Sequence, residues 1–353
     1  MDALKDQTLI ASQLSKLRLG ETQQFKNITV IPLFSSVNHS PEYLTLKEAL
    51  EKNLTTITEV GLGGSVPELK VTNLADLPVL LVDGEELIGA KQNRILNTTI
   101  LLREKSVTVI PVTCTESGRW HHTTHQFSHS DHIMSAKIRK LKSSHVTTSL
   151  KHALGYMADQ GAIWGEVHVM ASHAKVQSPT HALHEVFKAK TPQMNDYVTA
   201  FKPVPGQNGL LVFVNGVVVG LDVVSLERAY QVLHPSLIKS YAIDAVLAPT
   251  DKSSEQAAEK ATAFLGEAAA CKESKHPSIG YGVDYRFEGP TVAGSALVRD
   301  EHVIHMALFS VDRGDSESRT QPRPPAKVHG ATPPAPLNRE NKKPDKPEPS
   351  INQ

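Results

Sequence analysis

Cysteine is scarce in this sequence, since only Cys114 and Cys271 occur among 353 residues. Two thiols so far apart in the chain exclude a disulfide framework and a cysteine-rich zinc module. Their scarcity suits a reducing compartment, so we expect a cytoplasmic protein. Long apolar runs are also missing, and none approaches the roughly 18 residues that a membrane span needs. The first 20 residues carry dispersed charges and no uninterrupted apolar segment, which argues against a secretory signal.

An excess of charge of either sign is absent, because 37 Lys and Arg residues balance 37 Asp and Glu residues. This balance argues against a protein that binds nucleic acid or coats an anionic membrane. The sequence also lacks a G-x-S-x-G nucleophile motif, a P-loop, a G-x-G-x-x-G motif and an H-E-x-x-H zinc motif. Composition therefore predicts a globular, water-soluble chain and identifies no activity.

Hydrophobic patterning predicts an α+β protein with three parts. Residues 1–20 form an N-terminal extension with a short amphipathic helix, residues 21–311 form one composite domain, and residues 312–353 form a tail. From Arg313 onward the tail holds 9 of the 22 prolines and almost no large apolar residue. Such a segment cannot bury enough surface to offset the entropy of ordering, so we predict a disordered, proline-rich tail.

Short strands are predicted to fill the N-terminal part of the domain. One strand covers the segment from Ile28 to Phe34, and Thr45 with Glu48 forms a capping box that begins a short helix. Five runs rich in Val, Ile, Leu and Thr follow between residues 55 and 113. Because Gly, Pro or Asp separates these runs, they indicate an antiparallel β-rich sheet, arranged as a sandwich or a barrel-like structure.

The centre of the chain is predicted to be helical. Ser178-Pro179 and Thr191-Pro192 have the cap-then-proline order of helix starts, and Ser253 with Gln256 has capping-box spacing. Asn215-Gly216 lies between two β-branched runs and predicts a type I′ β-hairpin. Helices are expected near residues 132–157, 159–174, 180–189, 192–200, 225–247 and 254–270, followed by C-terminal strands near 283–287, 291–298 and 302–310.

The most informative segment is DGEELIGAKQNRILNT, from Asp83 to Thr98. It places two adjacent carboxylates, Glu85 and Glu86, shortly before the polar run from Lys91 to Arg94. The two cations supply fixed positive charge and the two amides between them supply donors and acceptors, which suits a ligand with phosphates at one end and hydroxyls at the other. The alternative is a turn whose polar side chains satisfy backbone groups.

A second polar cluster, Cys114, Glu116, Arg119 and Trp120, follows the next predicted strand. Trp120 beside Arg119 suits a stacking wall for a nucleobase with a guanidinium facing a phosphate. The alternative is a packing residue at a strand end. Cys114 is either a nucleophile or a buried structural thiol. Eleven of the 17 histidines fall between residues 121 and 184, and His121, His122, His125, His129 and His132 look like a metal-binding tract. Histidines clustered in a polar loop can also bind zinc or nickel weakly without a function, and no recognised ligand spacing is present, so we assign no metal ligands.

These segments resemble the ARPP domain, the ADP-ribosylglycohydrolase and rhodanese-phosphatase-superfamily-associated protein domain. The GEEL-x-GAKQNR-x-x-N-T string carries the resemblance, together with SVPELKVTN, PVTCTESGRW, DQGAIWGEV, the VFVNGVVVGLDV hairpin, SYAIDA and GSALVRDEHVIHMALF. It extends over residues 26–310, whereas the histidine tract after Trp120 and the tail depart from the family's pattern. The resemblance implies catalytic candidates at Glu85 and Glu86. It implies further polar candidates, mostly ligand-binding, at Lys91, Gln92, Asn93, Arg94, Asn97, Arg119, Trp120, Asp159, Gln160, Trp164, Gln207, Asp222 and His305.

Three functions follow as hypotheses from this resemblance and these residues. The first is a hydrolytic enzyme acting on ADP-ribose, an NAD-derived compound or another phosphorylated nucleotide. Glu85 or Glu86 would act as general base or position a divalent metal such as Mg²⁺, and only one of the two can face a given site if they lie in a strand. The second is a non-catalytic sensor that stacks the ligand base on Trp120 or Trp164. The third is a scaffold whose tail, with segments such as Pro322–Pro325, recruits a partner enzyme of ADP-ribose or phosphate metabolism.

Overall fold

The described part of the chain adopts the α+β fold that the sequence predicts. A computed structural model describes residues 8–35, 40–61, 63–249 and 255–311. Within these ranges the chain forms seven helices and eighteen strands. The predicted disordered tail, residues 312–353, and Ser253 of the predicted capping box lie outside the described residues.

The elements are numbered in chain order. The helices are α1 (Leu9–Ser15), α2 (Leu46–Glu51), α3 (Ala136–Lys151), α4 (Gln160–Ala174), α5 (Leu183–Ala200), α6 (Glu227–Leu247) and α7 (Ala257–Ala269). The strands are β1 (Arg18–Leu19), β2 (Gln23–Phe25), β3 (Ile28–Phe34), β4 (Leu44–Thr45), β5 (Thr55–Glu59), β6 (Glu68–Asn73), β7 (Val79–Leu81), β8 (Glu85–Gly89), β9 (Arg94–Leu96), β10 (Ile100–Leu102), β11 (Ser106–Cys114), β12 (Phe127–Ile133), β13 (Gly209–Val214), β14 (Val217–Val224), β15 (Lys272–Pro277), β16 (Val283–Glu288), β17 (Val292–Arg299) and β18 (His302–Ser310). None of the helices in the described ranges is long and apolar enough to span a membrane.

Two sheets make up the predicted β-rich region. One is a six-stranded antiparallel sheet in the order β12-β8-β9-β11-β6-β5, and the other is a three-stranded sheet in the order β10-β7-β4. Apolar residues of both sheets, such as Leu69 and Leu81, form one buried cluster. The capping box at the start of α2 is confirmed, because Thr45 Oγ1 accepts from the Glu48 N–H at 3.3 Å and the Glu48 carboxylate accepts from the Thr45 N–H at 2.8 Å.

The larger sheet is buried on both faces. It runs β1-β3-β13-β14-β18-β17-β16-β15, with β2 paired to β3. Successive residues of its strands enter different cores: in β3, Val30 packs in the cluster that includes α3 to α6, and Ile31 packs in the cluster that includes α1 and α7. The β13–β14 hairpin turns at Asn215 and Gly216, whose φ angles of 53° and 80° confirm the type I′ turn.

Several helix boundaries and strands differ from the predictions. Ser178-Pro179 does not begin a helix, since α5 starts at Leu183 with Ala182 as its N-cap. The helix expected near residues 132–157 begins only at Ala136, because the segment before it belongs to β12. Thr191-Pro192 does not begin a helix, since Pro192 lies inside α5, where Phe187 and Met194 on either side of it are both buried in the same core. Strands β12 and β15, with the sequences FSHSDHI and KESKHP, were not predicted because their polar side chains hide any apolar alternation.

Candidate functional site

The sequence motif folds as a hairpin in which β8 turns into β9. Asn93 holds the turn, because its side-chain oxygen accepts from the Gly89 N–H at 3.1 Å and from Arg119 Nη2 at 3.0 Å. Its backbone N–H donates to the Glu116 carboxylate at 3.1 Å. Arg119 also pairs with Glu116 at 2.7 Å and donates to the Ala90 carbonyl at 2.6 Å. These bonds fasten the segment after β11 to the hairpin, so Asn93 and Arg119 have partners within the protein.

Arg94 is fully buried, yet its guanidinium has an incomplete set of partners. Its Nη1 donates to the backbone and side-chain oxygens of Gln92 at 3.0 and 2.9 Å. Nε and Nη2 have no hydrogen-bond partner among the described residues, and no carboxylate in those ranges forms an ion pair with Arg94. Removing one partner of a buried pair costs about 3–5 kcal/mol, so a buried cation without a counter-ion is costly. The two nitrogens are therefore available donors for an anion.

Trp120 and Lys91 lie beside this guanidinium. The Trp120 ring centroid is 5.5 Å from Arg94 Cζ and 5.4 Å from Lys91 Nζ. Lys91 Nζ also donates to the Gly63 carbonyl at 2.5 Å. Because Trp120 is partly exposed and Arg94 is not, the indole lies at the boundary between the guanidinium and solvent. The structure thus brings together Lys91, Arg94 and Trp120, three of the residues that the sequence analysis selected.

Two further buried groups lie near Arg94. Cys114 is directly opposite Arg94 in the β9–β11 pairing. Burial raises the pKa of the Cys114 thiol to about 11, and the nearby Arg94 charge offsets this only in part. A thiol that stays protonated at neutral pH is a poor nucleophile. Glu59 accepts from the Lys91 N–H at 3.2 Å through Oε1, whereas its buried Oε2 has no partner within the described ranges.

Glu86 and Arg94 lie on opposite faces of the hairpin. In the β8–β9 pairing, Glu86 is opposite Ile95 and Leu87 is opposite Arg94. Paired residues of antiparallel strands share a face and successive residues alternate, so the Glu86 carboxylate and the Arg94 guanidinium point away from each other. The structure therefore does not bring the predicted carboxylate and the predicted phosphate-binding cation into one pocket.

Glu85 is fully buried on the face opposite to that of Glu86. It accepts from the Val82 N–H at 2.6 Å and contacts His129 Nε2 at 3.1 Å. His129 comes from β12, so this contact joins the two neighbouring strands β8 and β12. Glu85 thus has partners within the fold.

Glu86 meets two histidines and a threonine on its own face. Its Oε2 lies 3.4 Å from His184 Nδ1 and 3.9 Å from His132 Nδ1, and Thr115 donates to Oε1 at 3.3 Å. Burial opposes ionisation of Glu86, but the two imidazoles outweigh it and lower the pKa of the carboxyl group to about 2. Glu86 in turn raises the pKa of His184. A carboxylate with so low a pKa is a weak general base at neutral pH, so this geometry favours charge pairing or metal binding.

Three other predicted residues are bonded to neighbouring secondary structure. Asp159 is the N-cap of α4. Gln160 accepts from the N–H of Cys114 and donates to its carbonyl, both at 2.8 Å, and so attaches α4 to the end of β11. Asn97 accepts from the Thr113 hydroxyl at 2.6 Å. These contacts account for the three side chains without a ligand.

Trp164 and Gln207 lie in other elements, Trp164 on α4 and Gln207 just before β13. Trp164 lies on α4, and its buried Nε1 has no partner in the described part of the chain. Gln207 donates to the Gly209 carbonyl at 2.8 Å and to the Tyr230 hydroxyl at 2.7 Å. Gln207 therefore fixes the start of β13 against α6.

Asp222 and His305 belong to a buried ionic network. Asp222 accepts from Arg139 at 2.6 and 3.0 Å and lies 3.2 Å from His305 Nε2. Burial alone would raise the pKa of Asp222, but Arg139 and His305 hold it well below its usual range. Asp83, at the start of the family motif, pairs with Arg139 and with Lys142 of α3. The network joins the motif to α3 and to the larger sheet.

The sequence assigned no site role to His132, His184, Arg139 or Lys142. The concentration of histidines between residues 121 and 184 was the available signal for the first two, but that tract is divided between a loop, β12 and the helices. His121 and His122 are exposed in the loop, whereas His132 is 7% exposed on β12. Arg139 and Lys142 resemble solvent-facing residues of an amphipathic helix, and only tertiary packing shows that they are buried.

Two surface cavities flank α3, and none of the candidate residues from the sequence analysis lines either one. Their volumes are about 410 and 500 Å³, and Lys137, Lys140 and Glu166 line both. Lys137 pairs with Glu166 at 2.8 Å, and Lys151 in the second cavity pairs with Glu288 at 2.5 Å. Because these cations have carboxylate partners, we place the candidate site at the β8–β9 hairpin and not in the cavities.

These features define an α+β protein with a cationic cluster at one hairpin and a Glu–His–His group on the opposite face. The chain belongs to the ARPP-1 family, described as the ARG and Rhodanese-Phosphatase-superfamily-associated Protein domain, and the family's sequence profile matches residues 16–309. The match confirms the resemblance found in the hairpin motif. No curated protein and no solved structure matches the chain.

Proposed function

We propose that this protein binds a phosphorylated, nucleotide-derived ligand of the ADP-ribose or NAD-derived class, with a phosphate group against Arg94. The observation that carries the proposal is the fully buried Arg94 guanidinium, whose Nε and Nη2 lack partners in the described ranges. The ligand class comes from the family description, which associates the domain with the ARG superfamily.

The two available nitrogens suit a phosphate because they form one edge of the planar guanidinium. Two parallel N–H donors on such an edge match two phosphate oxygens, and these charge-assisted bonds are stronger than neutral ones. Nη1 is held by Gln92 and lies 3.4 Å from the Asn93 carbonyl, so the plane is fixed before a ligand arrives. A pre-positioned side chain loses little conformational entropy on binding.

Trp120 supplies a surface for the rest of the ligand. The indole is partly exposed, and a nucleobase or ribose can pack against an aromatic ring of this kind. Lys91 Nζ, 5.4 Å from the ring centroid, adds positive charge near the phosphate. The Arg94 nitrogens are shielded from solvent and the indole lies over the guanidinium, so we expect an entering phosphate to displace Trp120. Its fluorescence should therefore report binding.

The competing explanation is a water molecule that bridges Arg94 and Glu59. Glu59 Oε2 is also buried without a partner in the described part of the chain. Arg94 lowers the pKa of the Cys114 thiol and Glu59 raises it, so both charged groups lie near that thiol. The two explanations predict opposite effects of Glu59→Gln. If Glu59 is the water-bridged counter-ion of Arg94, Glu59→Gln should strongly lower the free energy of unfolding. If Arg94 binds phosphate, Glu59→Gln should raise the affinity for phosphate, because a nearby negative charge is removed.

The test uses Trp164→Phe protein, in which Trp120 is the sole tryptophan because the chain contains two. Inorganic phosphate, ADP-ribose, NAD and AMP are titrated in phosphate-free buffer, with fluorescence and calorimetry as readouts. We expect ADP-ribose to shift the Trp120 emission. Arg94→Gln should weaken binding at least tenfold, which corresponds to about 1.4 kcal/mol.

The matched control is Arg103→Gln, because Arg103 also lies over an aromatic ring, 4.2 Å from the centroid of Tyr281. This variant should keep the ligand affinity of the parent. The proposal is wrong if none of the compounds changes the Trp120 emission or produces heat, or if Arg103→Gln weakens binding as much as Arg94→Gln. A response to inorganic phosphate equal to that of ADP-ribose would assign the site to phosphate alone and remove the nucleotide class.

Hydrolysis is the second candidate function, and the convergence of Glu86, His132 and His184 favours it as a separate site on the other face of the hairpin from Arg94. Mass spectrometry of ADP-ribose incubated with the protein separates the two: a sensor returns the intact compound, and a hydrolase returns products. A scaffold role concerns the tail, residues 312–353, in a chain that we expect to be cytoplasmic. Its removal should abolish association with a partner enzyme and leave ligand binding unchanged.

A further inference from the structure

A carboxylate and two imidazoles converge where β8, β12 and the first turn of α5 meet. Glu86, His132 and His184 each place one potential ligand atom within 4.8 Å of the other two. The closest approach is 3.4 Å, between Glu86 Oε2 and His184 Nδ1. The three residues come from separate elements, so the fold and not a local turn creates the group.

The spacing of these atoms is close to that of a metal site. Bonds of about 2.0–2.1 Å in tetrahedral geometry place two ligand atoms about 3.3 Å apart. Glu86 Oε2 is 3.4 Å from one imidazole nitrogen and 3.9 Å from the other. The longer distance exceeds that of a hydrogen bond, so direct bonding does not explain the position of His132. All three atoms lie within 4.8 Å of one another, so they would have to move closer together to reach coordination distance.

His132 provides the second, independent observation. It is 7% exposed, and its buried Nδ1 has no hydrogen-bond partner in the described ranges. Its ring stacks on Phe187 with centroids 4.8 Å apart, which limits its freedom to turn toward another partner. A buried imidazole nitrogen without a partner is unfavourable, and a metal ion would satisfy it. Thr115, by donating to Glu86 Oε1 at 3.3 Å, orients the carboxylate in the way that outer residues orient metal ligands.

We propose that Glu86, His132 and His184 bind one divalent transition-metal ion of the zinc type. Two imidazoles with one carboxylate suit Zn²⁺ and its first-row neighbours, whereas Mg²⁺ and Ca²⁺ prefer oxygen ligands. Three protein ligands leave a position for water or for an oxygen atom of a substrate. The His184 side chain is 24% exposed, which gives the ion a route from solvent.

This metal site does not depend on the phosphate site. Arg94 lies on the other face of the β8–β9 hairpin, so either site can fail its test without affecting the other.

The experiment uses the full chain without an affinity tag, stripped with a chelator and dialysed into metal-free buffer. Zn²⁺ binding is measured by calorimetry, bound metal by elemental analysis, and ligand geometry by the visible absorption of Co²⁺. We expect one Zn²⁺ per chain and a Co²⁺ spectrum of low coordination number. Glu86→Gln and His184→Asn should each weaken Zn²⁺ binding at least tenfold, and Mg²⁺ should give no saturable binding.

The matched control removes the exposed loop histidines, His121, His122 and His125, together by substitution with Gln. His122 and His125 have ring centroids 6.5 Å apart and are the obvious source of adventitious binding. This variant should retain the single high-affinity site. Because His184 is partly exposed, His184→Asn should fold, which circular dichroism verifies. The proposal is wrong if the protein shows no saturable Zn²⁺ binding. It is also wrong if the stoichiometric Zn²⁺ site is lost in the loop variant and retained in His184→Asn.

Discussion

Asp222→Asn should destabilise the protein strongly even though the substitution preserves shape. The Asp222 carboxylate accepts from Arg139 at 2.6 and 3.0 Å and from the Tyr241 hydroxyl at 2.7 Å, and His305 Nε2 lies 3.2 Å away. Asp222 and Arg139 are both fully buried. The substitution leaves the Arg139 guanidinium without its main counter-ion. It also places an amide N–H, which is itself a donor, against the donors of Arg139 and Tyr241.

The magnitude follows from the remaining partners of Arg139. Asp83 lies 3.4 Å from Arg139 Nε but also neutralises Lys142, so one carboxylate would face two buried cations. Removing one partner of a buried pair costs about 3–5 kcal/mol. We therefore expect a loss of about that size in the free energy of unfolding. Replacing both members, as in Arg139→Met with Asp222→Leu, should cost much less than the sum of the two single changes.

Urea unfolding followed by circular dichroism at pH 7.5 measures these differences. The control is Asp196→Asn, because Asp196 pairs with Lys26 at 2.9 Å on the surface, where both side chains are about half exposed. Exposed pairs contribute about 0–1 kcal/mol, so this variant should unfold like the parent. If Asp222→Asn proves as mild as Asp196→Asn, the network is not structural. Asp222 and His305 would then return as candidates for ligand contact.

Three further predictions concern other parts of the molecule. Arg94→Met in phosphate-free buffer should change the free energy of unfolding by less than about 1 kcal/mol, because lost hydrogen bonds offset the removal of an unpaired charge. Leu96→Ala, the comparison variant, should lower the free energy of unfolding by about 2–5 kcal/mol. An equal loss in Arg94→Met would show that Arg94 has a structural role. Burial raises the pKa of Asp244 from 3.8 to about 6, so ionisation destabilises the fold as pH rises between these values. By urea unfolding, the free energy of unfolding of Asp244→Asn should exceed that of the parent by about 1–3 kcal/mol above pH 6 and should equal it near pH 3.8. A difference that does not change with pH would contradict this prediction. Thr115→Val should weaken Zn²⁺ affinity about 10–100-fold by calorimetry, and an unchanged affinity would show that Thr115 does not orient Glu86.

Elements with a local signal could be predicted from the sequence. The Thr45–Glu48 capping box and the Asn215-Gly216 turn depend only on neighbouring residues, and both are present as expected. Strand β12 could not be predicted, since its histidines are buried by partners on β8 and α5 that are distant in the chain. The prediction of a helix start at Thr191-Pro192 was wrong for a similar reason. Packing on both sides of Pro192 maintains a helix that the local proline signal would interrupt.

The residue types of the candidate site could be predicted from the sequence, but their arrangement in space could not. The motif grouped Lys91 with Arg94, but the sequence placed Trp120 in a separate cluster beside Arg119. The proximity of Trp120 to the two cations, and the lack of a carboxylate partner for Arg94 among the described residues, are visible only in three dimensions. Asn97 and Gln160, in contrast, were selected for their polarity and are occupied by backbone and side-chain partners. A buried amide in a family motif can therefore serve the fold as readily as a ligand.

The alternation of side chains along β8 places the two proposed sites on opposite faces of the hairpin. Glu86 and Leu87 are neighbours in the chain, but Glu86 faces the two histidines, and Leu87 lies opposite Arg94 and shares its face. A single small ligand cannot contact the Glu86 carboxylate and the Arg94 guanidinium through the strands between them. Sites with no shared partner behave independently, so Arg94→Gln should leave Zn²⁺ affinity unchanged and Glu86→Gln should leave phosphate affinity unchanged. A loss of both affinities in either variant would show instead that the hairpin responds as one unit.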